Sequence, residues 1–163
     1  MSSIFLPDIF AETVYDIDLD ALKKEGIRGF VFDIDNTLVT YADPIATERV
    51  VNWLESLRKL GFKLYIVSNN DKERVRIFSE SVNLPHYGKA LKPLSRYLKK
   101  ACRNMGITPG EAALVGDQLF TDIWGGNLLK MKTILVKPIS EVEDGFVKFK
   151  RRFERRILRR MNR

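Results

Sequence analysis

Short apolar runs rich in β-branched and aromatic residues alternate with amphipathic stretches through the middle of the chain. This alternation is typical of βαβ units, in which helices cover both faces of a parallel sheet. The pattern predicts an α/β protein built as a three-layer sandwich around a central parallel sheet of about five strands. The predicted strands are residues 27–34, 62–67, 87–90, 112–116 and 133–136.

Three amphipathic helices are predicted between these strands. One covers residues 44–60, a second begins after Asp71 as its N-cap, and a third covers residues 93–105. Trp53 and Cys102 lie on the apolar stripes of the first and third helices. Both side chains are therefore predicted to pack in the core.

The composition describes one ordinary globular domain. The chain has 163 residues, of which 45% are hydrophobic and 30% charged, and no repeat or linker divides residues 1–145. Residues 1–25 are interpreted as a lead-in packed on that domain.

No apolar run approaches the ~20 residues that cross a bilayer, and no basic leader precedes an apolar stretch. A lone cysteine excludes an internal disulfide and a thiolate metal site. We therefore expect a soluble cytoplasmic protein.

The positive charge is concentrated at the C-terminal end. The formal net charge is +7, and residues 146–163 alone carry +8, so residues 1–145 carry −1. Apolar side chains recur there at helical spacing, which predicts a basic amphipathic helix with the stripe Phe146, Phe149, Phe153, Ile157 and Met161. Such a helix could dock on the domain, lie peripherally on the anionic inner face of a membrane, or bind nucleic acid, the last being the least favoured.

Two groups of aspartates repeat at alternate positions, but their contexts differ. Asp33 and Asp35 stand at the end of a strongly apolar strand, so their side chains point the same way beyond the carboxyl edge of the sheet. That edge is where open α/β sheets bind ligands. Residues 16–20 instead lead into a helix, where aspartate is a good cap. Neither group has the glycine and glutamate of an EF-hand calcium loop.

Four more polar residues follow later strands: Ser68, Lys92, Asp117 and, close behind it, Asp122. The successive steps from Asp33 to Ser68, from Ser68 to Lys92 and from Lys92 to Asp117 are 35, 24 and 25 residues. Each is about one βα repeat, which returns the chain to the same sheet edge. Carboxylates suit a divalent cation, and a hydroxyl and an ammonium suit phosphate oxygens. The set therefore indicates phosphoryl transfer.

Taken singly, these residues have ordinary structural explanations. Ser68 could cap the following helix, and Lys92 and Asp122 could lie on the surface. Those explanations do not account for why all of them follow strands that end at one sheet edge.

Four sequence motifs resemble those of the haloacid dehalogenase superfamily. They are FDIDNTLV at 32–39, VSNN at 67–70, KP at 92–93 and GDQLFTD at 116–122. The DNTL and GDQ forms, with the lead-in YDIDLDALKKEGIRG, are similar to the YqeG-type group of subfamily III, which is linked to phosphatidylglycerophosphate phosphatases. The resemblance implies a Rossmann-like fold and a phosphatase.

The resemblance also implies a role for each matching residue. Asp33 would be the nucleophile that forms an aspartyl-phosphate, and Asp35 the acid and base. Magnesium would be held by Asp33, by Asp35 through its backbone carbonyl and by Asp117. Asp122 would be a further ligand or an orienting group. Phosphoryl oxygens would be bound by Ser68, Asn69 and Lys92.

The motif intervals leave no space for a cap domain, so the site is predicted to be open. An open site suits a large or surface-borne substrate, and the resemblance makes phosphatidylglycerophosphate the favoured one. Two alternatives remain at this point. One is a phosphatase for a soluble phosphate or a phosphorylated macromolecule, and the other is a non-catalytic protein of this fold that binds RNA or membrane.

Overall fold

The computed structural model describes residues 3–140 and, beyond them, only positions 152, 155, 156 and 159. Within residues 3–140, six strands and five α-helices alternate, with short 3₁₀ or π turns between some of them. The strands are β1 (Ile9–Ala11), β2 (Gly29–Phe32), β3 (Lys63–Val67), β4 (His86–Tyr87), β5 (Ala112–Gly116) and β6 (Lys132–Val136). The helices are α1 (Leu19–Lys24), α2 (Glu48–Lys59), α3 (Lys72–Ser81), α4 (Arg96–Met105) and α5 (Trp124–Leu128).

All six strands form one parallel sheet in the order β1-β6-β5-β2-β3-β4. The predicted parallel α/β fold is confirmed, but the sheet has one strand more than predicted. The additional strand is β1, which comes from the lead-in and pairs with β6 at the edge of the sheet. Three residues are too few to show a period of two, so the sequence pattern did not reveal it.

The core lies on both faces of the sheet, as a three-layer sandwich requires. On one face Phe30 and Phe32 of β2 pack with α2 and α3, for example against Leu54 and Phe78. On the other face the intervening Val31 packs with α4, whose Leu98, Ala101, Cys102 and Met105 are buried. The predicted burial of Cys102 is therefore confirmed, and Trp53 packs against the first cluster while remaining half-buried.

Two predicted helices begin later than the sequence suggested. Helix α2 starts at Glu48 behind the N-cap Thr47, whose hydroxyl accepts the Val50 N–H at 3.3 Å. Helix α4 starts at Arg96 rather than at Pro93. The residues that precede both helices are loops at the carboxyl edge of the sheet, and those loops surround the site described below.

The lead-in packs on the segment that carries the last motif. The Phe5 ring contacts the rings of Phe120 and Trp124 edge-on, with centroids 5.5 and 5.3 Å apart. Asn127 donates its side-chain amide to the carbonyls of Ile4 and Leu6, at 2.8 Å each. Among the described residues, no helix is long and apolar enough to cross a membrane.

Candidate active site

Polar residues that follow three neighbouring strands meet at the centre of the carboxyl edge of the sheet. Asp33 follows β2, Ser68 follows β3 and Asp117 follows β5, and β2 lies between the other two strands. Lys92 reaches the same place from the loop between β4 and α4. These four residues are buried, as are Asp35 and Asp122. The structure thus brings together the groups that the sequence placed at this edge.

The ammonium group of Lys92 is fixed at the floor of the site. It donates to Asp122 Oδ1 at 2.6 Å, to the Val67 carbonyl at 2.8 Å and to Asp33 Oδ1 at 3.3 Å. An ammonium has three N–H donors, so these contacts occupy all of them. The side chain is only 1% exposed. Lys92 is therefore a buried cation between two carboxylates, not a surface lysine.

The carboxyl group of Asp33 lies in a strongly perturbing environment. Burial raises the pKa of Asp33 to about 7; Lys92 opposes the rise, and the charges of Asp122 and Asp35 add to it. Burial acts to lower the pKa of Lys92, but Asp122 and Asp33 together raise it above its ordinary value. The carboxylates around Asp33 outnumber the ammonium of Lys92, so a further positive charge would favour the ionised form of Asp33.

Three of the buried carboxylates are close enough to share a cation. One oxygen from each of Asp33, Asp117 and Asp122 lies within 4.8 Å of the other two. An oxygen-only donor set of this kind suits Mg²⁺. The raised pKa of Asp33 points the same way, because a divalent cation would offset the crowded negative charge. The residues present therefore fit a magnesium ion.

Asp122 has protein partners for both of its oxygens. Oδ1 accepts from Lys92, and Oδ2 accepts the backbone N–H of Gln118 at 3.2 Å. Its side chain lies against Gly116, the last residue of β5, where an added Cβ would overlap it. The glycine of the GDQLFTD motif is therefore required by the close approach of Asp122 to the strand.

The carboxylate of Asp35 is held from the side of α3. Its Oδ2 accepts from Asn70 Nδ2 at 2.8 Å, and its Oδ1 accepts from Arg74 Nη2 at 3.0 Å. Neither donor was predicted from the sequence as part of the site. Asn70 stood within the VSNN motif and could have been found there. Arg74 belongs to the charged pattern of an ordinary amphipathic helix, which gave no signal.

Asn69 contacts the backbone of Lys92 with its whole amide group. Its Oδ1 accepts the Lys92 N–H at 2.7 Å, and its Nδ2 donates to the Lys92 carbonyl at 3.0 Å. Nearby, the Ser68 hydroxyl accepts the N–H of Asn70 at 3.2 Å. The VSNN motif therefore fastens the Lys92 loop to the end of β3, and the side chains of Ser68 and Asn69 still border the site.

These groups border an open cleft of about 230 Å³. No separate domain covers it in the part of the chain that the structure describes. Its lining residues are Asp33, Asp35, Tyr41, Ser68, Asn69, Asn70, Lys92, Gln118 and Thr121.

Exposed leucines flank Lys92 in the loop beside the cleft. Leu91 is 64% exposed and Leu94 62% exposed. Leu91 has φ +56° and Lys89 has φ +46°, a left-handed backbone that is strained for residues other than glycine. The loop also passes so close to α3 that a Cβ at Gly88 would come within 2.8 Å of the Lys72 Cα. The structure thus holds two large apolar side chains in solvent beside the site.

The second aspartate group stays away from the site and has the capping role expected of it. Asp18 is the N-cap of α1, accepting the Ala21 N–H at 3.0 Å. Asp16 accepts the N–H and hydroxyl of Thr13 in a capping box. Only the aspartates after β2 and β5 therefore contribute to the site among the described residues.

The sequence of the chain is similar to that of known proteins. The family model of the haloacid dehalogenase-like hydrolases matches residues 40–129. The chain is 41% identical to "Probable phosphatase YqeG" of Bacillus subtilis, over all of this chain and 95% of that protein. It is 32% identical to "Phosphatidylglycerophosphate phosphatase 1, chloroplastic/mitochondrial" of Arabidopsis thaliana, over 95% of this chain and 47% of that protein.

The fold is also similar to solved structures. A HAD phosphatase from Thermococcus onnurineus superposes with a TM-score of 0.60 at 15% sequence identity, over 73% of this chain and 90% of that one. At that identity the similarity describes the shared fold alone.

Proposed function

Because the chain belongs to the haloacid dehalogenase-like hydrolase family and is a phosphatase of that family, we propose that it hydrolyses a phosphate monoester through an aspartyl-phosphate on Asp33. The observation that carries this proposal is the buried cluster in which Lys92 lies between Asp33 and Asp122. A carboxylate oxygen of Asp117 lies within 4.8 Å of an oxygen of Asp33 and of an oxygen of Asp122. The groups that we propose as nucleophile, phosphate-binding ammonium and cation ligand therefore lie together.

The first half of the reaction transfers the phosphoryl group to the enzyme. A carboxylate oxygen of Asp33 forms a bond to phosphorus as the bond between phosphorus and the substrate alcohol breaks. For this step Asp35 carries a proton on Oδ2, where the Asn70 amide gives way, and passes it to the leaving oxygen while Arg74 keeps its contact with Oδ1. Lys92 and the Ser68 hydroxyl face the phosphoryl oxygens. The 3.3 Å contact of Lys92 to Asp33 is the longest of its three hydrogen bonds, and we expect a phosphoryl oxygen to replace it.

The second half releases inorganic phosphate. Asp35, now ionised, accepts a proton from a water molecule whose oxygen attacks phosphorus, and the bond from phosphorus to Asp33 breaks. Asp33 then regains its carboxylate and Asp35 its proton. The same group thus donates and accepts in turn, which restores the enzyme.

Magnesium would be held by the carboxylates of Asp33 and Asp117 and by the backbone carbonyl of Asp35. When bound, it neutralises charge on the phosphoryl oxygens and favours the ionised form of Asp33. Asp122 is better suited to orient Lys92, because both of its oxygens already have protein partners. Asn69 similarly holds the backbone of Lys92 rather than a phosphoryl oxygen.

We propose phosphatidylglycerophosphate as the substrate. Three observations support a lipid-borne phosphate: the match to the Arabidopsis protein of that name, the open cleft, and the exposed Leu91 and Leu94 beside it.

Peripheral contact with an anionic membrane is part of the proposal. Residues 146–163 carry +8, and their described arginines at 152, 155, 156 and 159 are helical and exposed. The apolar stripe predicted for that segment lies outside the described residues.

The test is magnesium-dependent phosphate release from phosphatidylglycerophosphate in mixed micelles. We expect the full chain to release phosphate, and we expect a chelator or Asp33→Asn to abolish the release. If the lipid is not hydrolysed while 4-nitrophenyl phosphate is, and Asp33→Asn abolishes that activity, the substrate is a soluble or macromolecular phosphate. Activity that survives in Asp33→Asn would overturn the proposed nucleophile.

A further inference from the structure

The acid and base of the proposed reaction has a partner that the motifs do not contain. Arg74 lies in the first turn of α3, four residues beyond the VSNN motif, and its Nη2 donates to Asp35 Oδ1 at 3.0 Å. The two side chains are 14% and 6% exposed. A nearly buried ion pair of this kind costs much desolvation, so it is strongly destabilising to remove one partner alone.

The same guanidinium group also holds the loop that covers one side of the cleft. Nη1 donates to the Pro44 carbonyl at 2.9 Å, and Nη2 donates to the Thr40 carbonyl at 3.3 Å. Tyr41, which lines the cleft, lies between these two residues in the chain. Arg74 therefore joins α3, the carboxylate of Asp35 and the loop 40–44. The planar guanidinium group presents its N–H donors in several fixed directions, which suits three acceptors on separate parts of the fold.

The orientation of Asp35 follows from these contacts. Arg74 holds one oxygen of its carboxylate and Asn70 holds the other, at 3.0 and 2.8 Å. Both donors belong to the start of α3 or the turn before it. The plane of the carboxylate is therefore set by α3, and proton transfer to a leaving group needs that plane to be correct.

We propose that Arg74 is a positioning residue that orients Asp35 for proton transfer and anchors the loop 40–44 beside it. The inference rests on the proposed function, because it assigns Asp35 as the acid and base. Asp35 touches the reacting atoms, whereas Arg74 acts through Asp35. Removing Arg74 should therefore impair the step in which the leaving group needs a proton.

The experiment compares two aryl phosphates of similar shape. A 4-nitrophenolate leaves without a proton, whereas phenolate is a poorer leaving group that benefits from one. The measured quantity is kcat/KM, which reports the steps up to the first irreversible one, here the transfer to Asp33. General acid catalysis contributes about 10²–10⁴-fold. We expect Arg74→Gln to lower kcat/KM for phenyl phosphate at least about tenfold more than for 4-nitrophenyl phosphate.

Arg74→Lys and two variants of Arg76 complete the series. Arg74→Lys keeps the positive charge but lacks the planar guanidinium group. Its ratio of kcat/KM for phenyl phosphate to kcat/KM for 4-nitrophenyl phosphate should therefore fall between the ratios of the wild type and Arg74→Gln. It also keeps the test decisive if Arg74→Gln does not fold. Arg76 lies on the same helix and is exposed, with ion pairs to Glu73 and Glu80. Arg76→Lys and Arg76→Gln should leave the ratio of the two rates unchanged.

The outcomes separate this inference from the proposed function. If Asp33→Asn abolishes both activities while the Arg74 variants lose both equally or lose neither, the positioning role is overturned and the proposed chemistry stands. If Asp33→Asn retains activity, the proposed chemistry itself fails. A selective loss on phenyl phosphate in both Arg74 variants supports the inference, and neither substrate contains a lipid.

Discussion

The ammonium of Lys92 lies 2.6 Å from Asp122 Oδ1, and each side chain is 1% exposed. Two opposite charges have thus been removed from water together, and each compensates the lost hydration of the other. The pair also keeps Lys92 directed at Asp33, 3.3 Å away. A salt bridge in the core of this site therefore determines where the proposed phosphate-binding cation lies.

Lys92→Met should strongly destabilise the protein, because it leaves Asp122 and Asp33 buried without their counter-charge. We expect the free energy of unfolding to fall by about 3–5 kcal/mol, measured by urea denaturation. Glu80→Gln is the matched control, since it breaks an exposed pair with Arg76 and should change the stability little. Equal small losses in the two variants would show that Lys92 and Asp122 are not a buried charged pair.

Gly116→Ala should displace Asp122, because the new Cβ would overlap its side chain. We expect a loss of about 1–3 kcal/mol in stability and a large fall in kcat, since Lys92 moves with Asp122. Gly110→Ala is the control: a Cβ there meets only the Thr108 hydroxyl, at 3.9 Å. Thermal unfolding and turnover of 4-nitrophenyl phosphate would be measured for both. Normal activity in Gly116→Ala would contradict the steric argument.

The sheet edge was predictable from the sequence because each motif follows a strand and the strands recur at about one βα repeat. Parallel strands then force Asp33, Ser68 and Asp117 to the same side. The contacts of Arg74 were not predictable, because two of its acceptors are backbone carbonyls of the loop 40–44. Their positions depend on tertiary structure and leave no trace in side-chain pattern. Strand β1 was missed for a different reason, since its three residues are all apolar and too few to show a period of two.

Removal of divalent cations should make stability depend on pH through Asp33. Its pKa is raised to about 7 in the folded protein from 3.8, so folding favours the protonated form. The associated stability is complete below about pH 4 and is lost as the pH rises through 7. In EDTA, the wild type should therefore lose on the order of 4 kcal/mol relative to Asp33→Asn between pH 4 and pH 8.

Urea unfolding of the two proteins across that pH range measures the difference directly. Adding magnesium at pH 8 should stabilise the wild type more than Asp33→Asn, because only the wild type then offers the ionised Asp33 to the cation. A pH profile that is parallel for the two proteins would mean that the pKa of Asp33 is not raised.

The exposed leucines beside Lys92 should matter for a lipid-borne substrate and not for a soluble one. Burying a leucine side chain in a lipid surface is worth about 1.5–3 kcal/mol, which is about tenfold or more in affinity for each leucine. We expect the double variant Leu91→Asn and Leu94→Ser to raise the KM for phosphatidylglycerophosphate micelles at least about tenfold. Asparagine is chosen at 91 because it tolerates the left-handed backbone found there. Hydrolysis of 4-nitrophenyl phosphate should stay unchanged, which would show that the site is intact.

Leu60→Ser is the matched control for that variant. Leu60 is 42% exposed but directly follows α2, whose end leads into the start of β3 at the opposite edge of the sheet. Its replacement should leave both activities as they are, because a lipid surface that meets the cleft does not reach that edge. Binding to vesicles rich in anionic phospholipid, measured by sedimentation, should weaken for the double variant and not for Leu60→Ser. Equal lipid activity in all three proteins would contradict docking through this loop and leave the basic segment 146–163 as the remaining means of membrane contact.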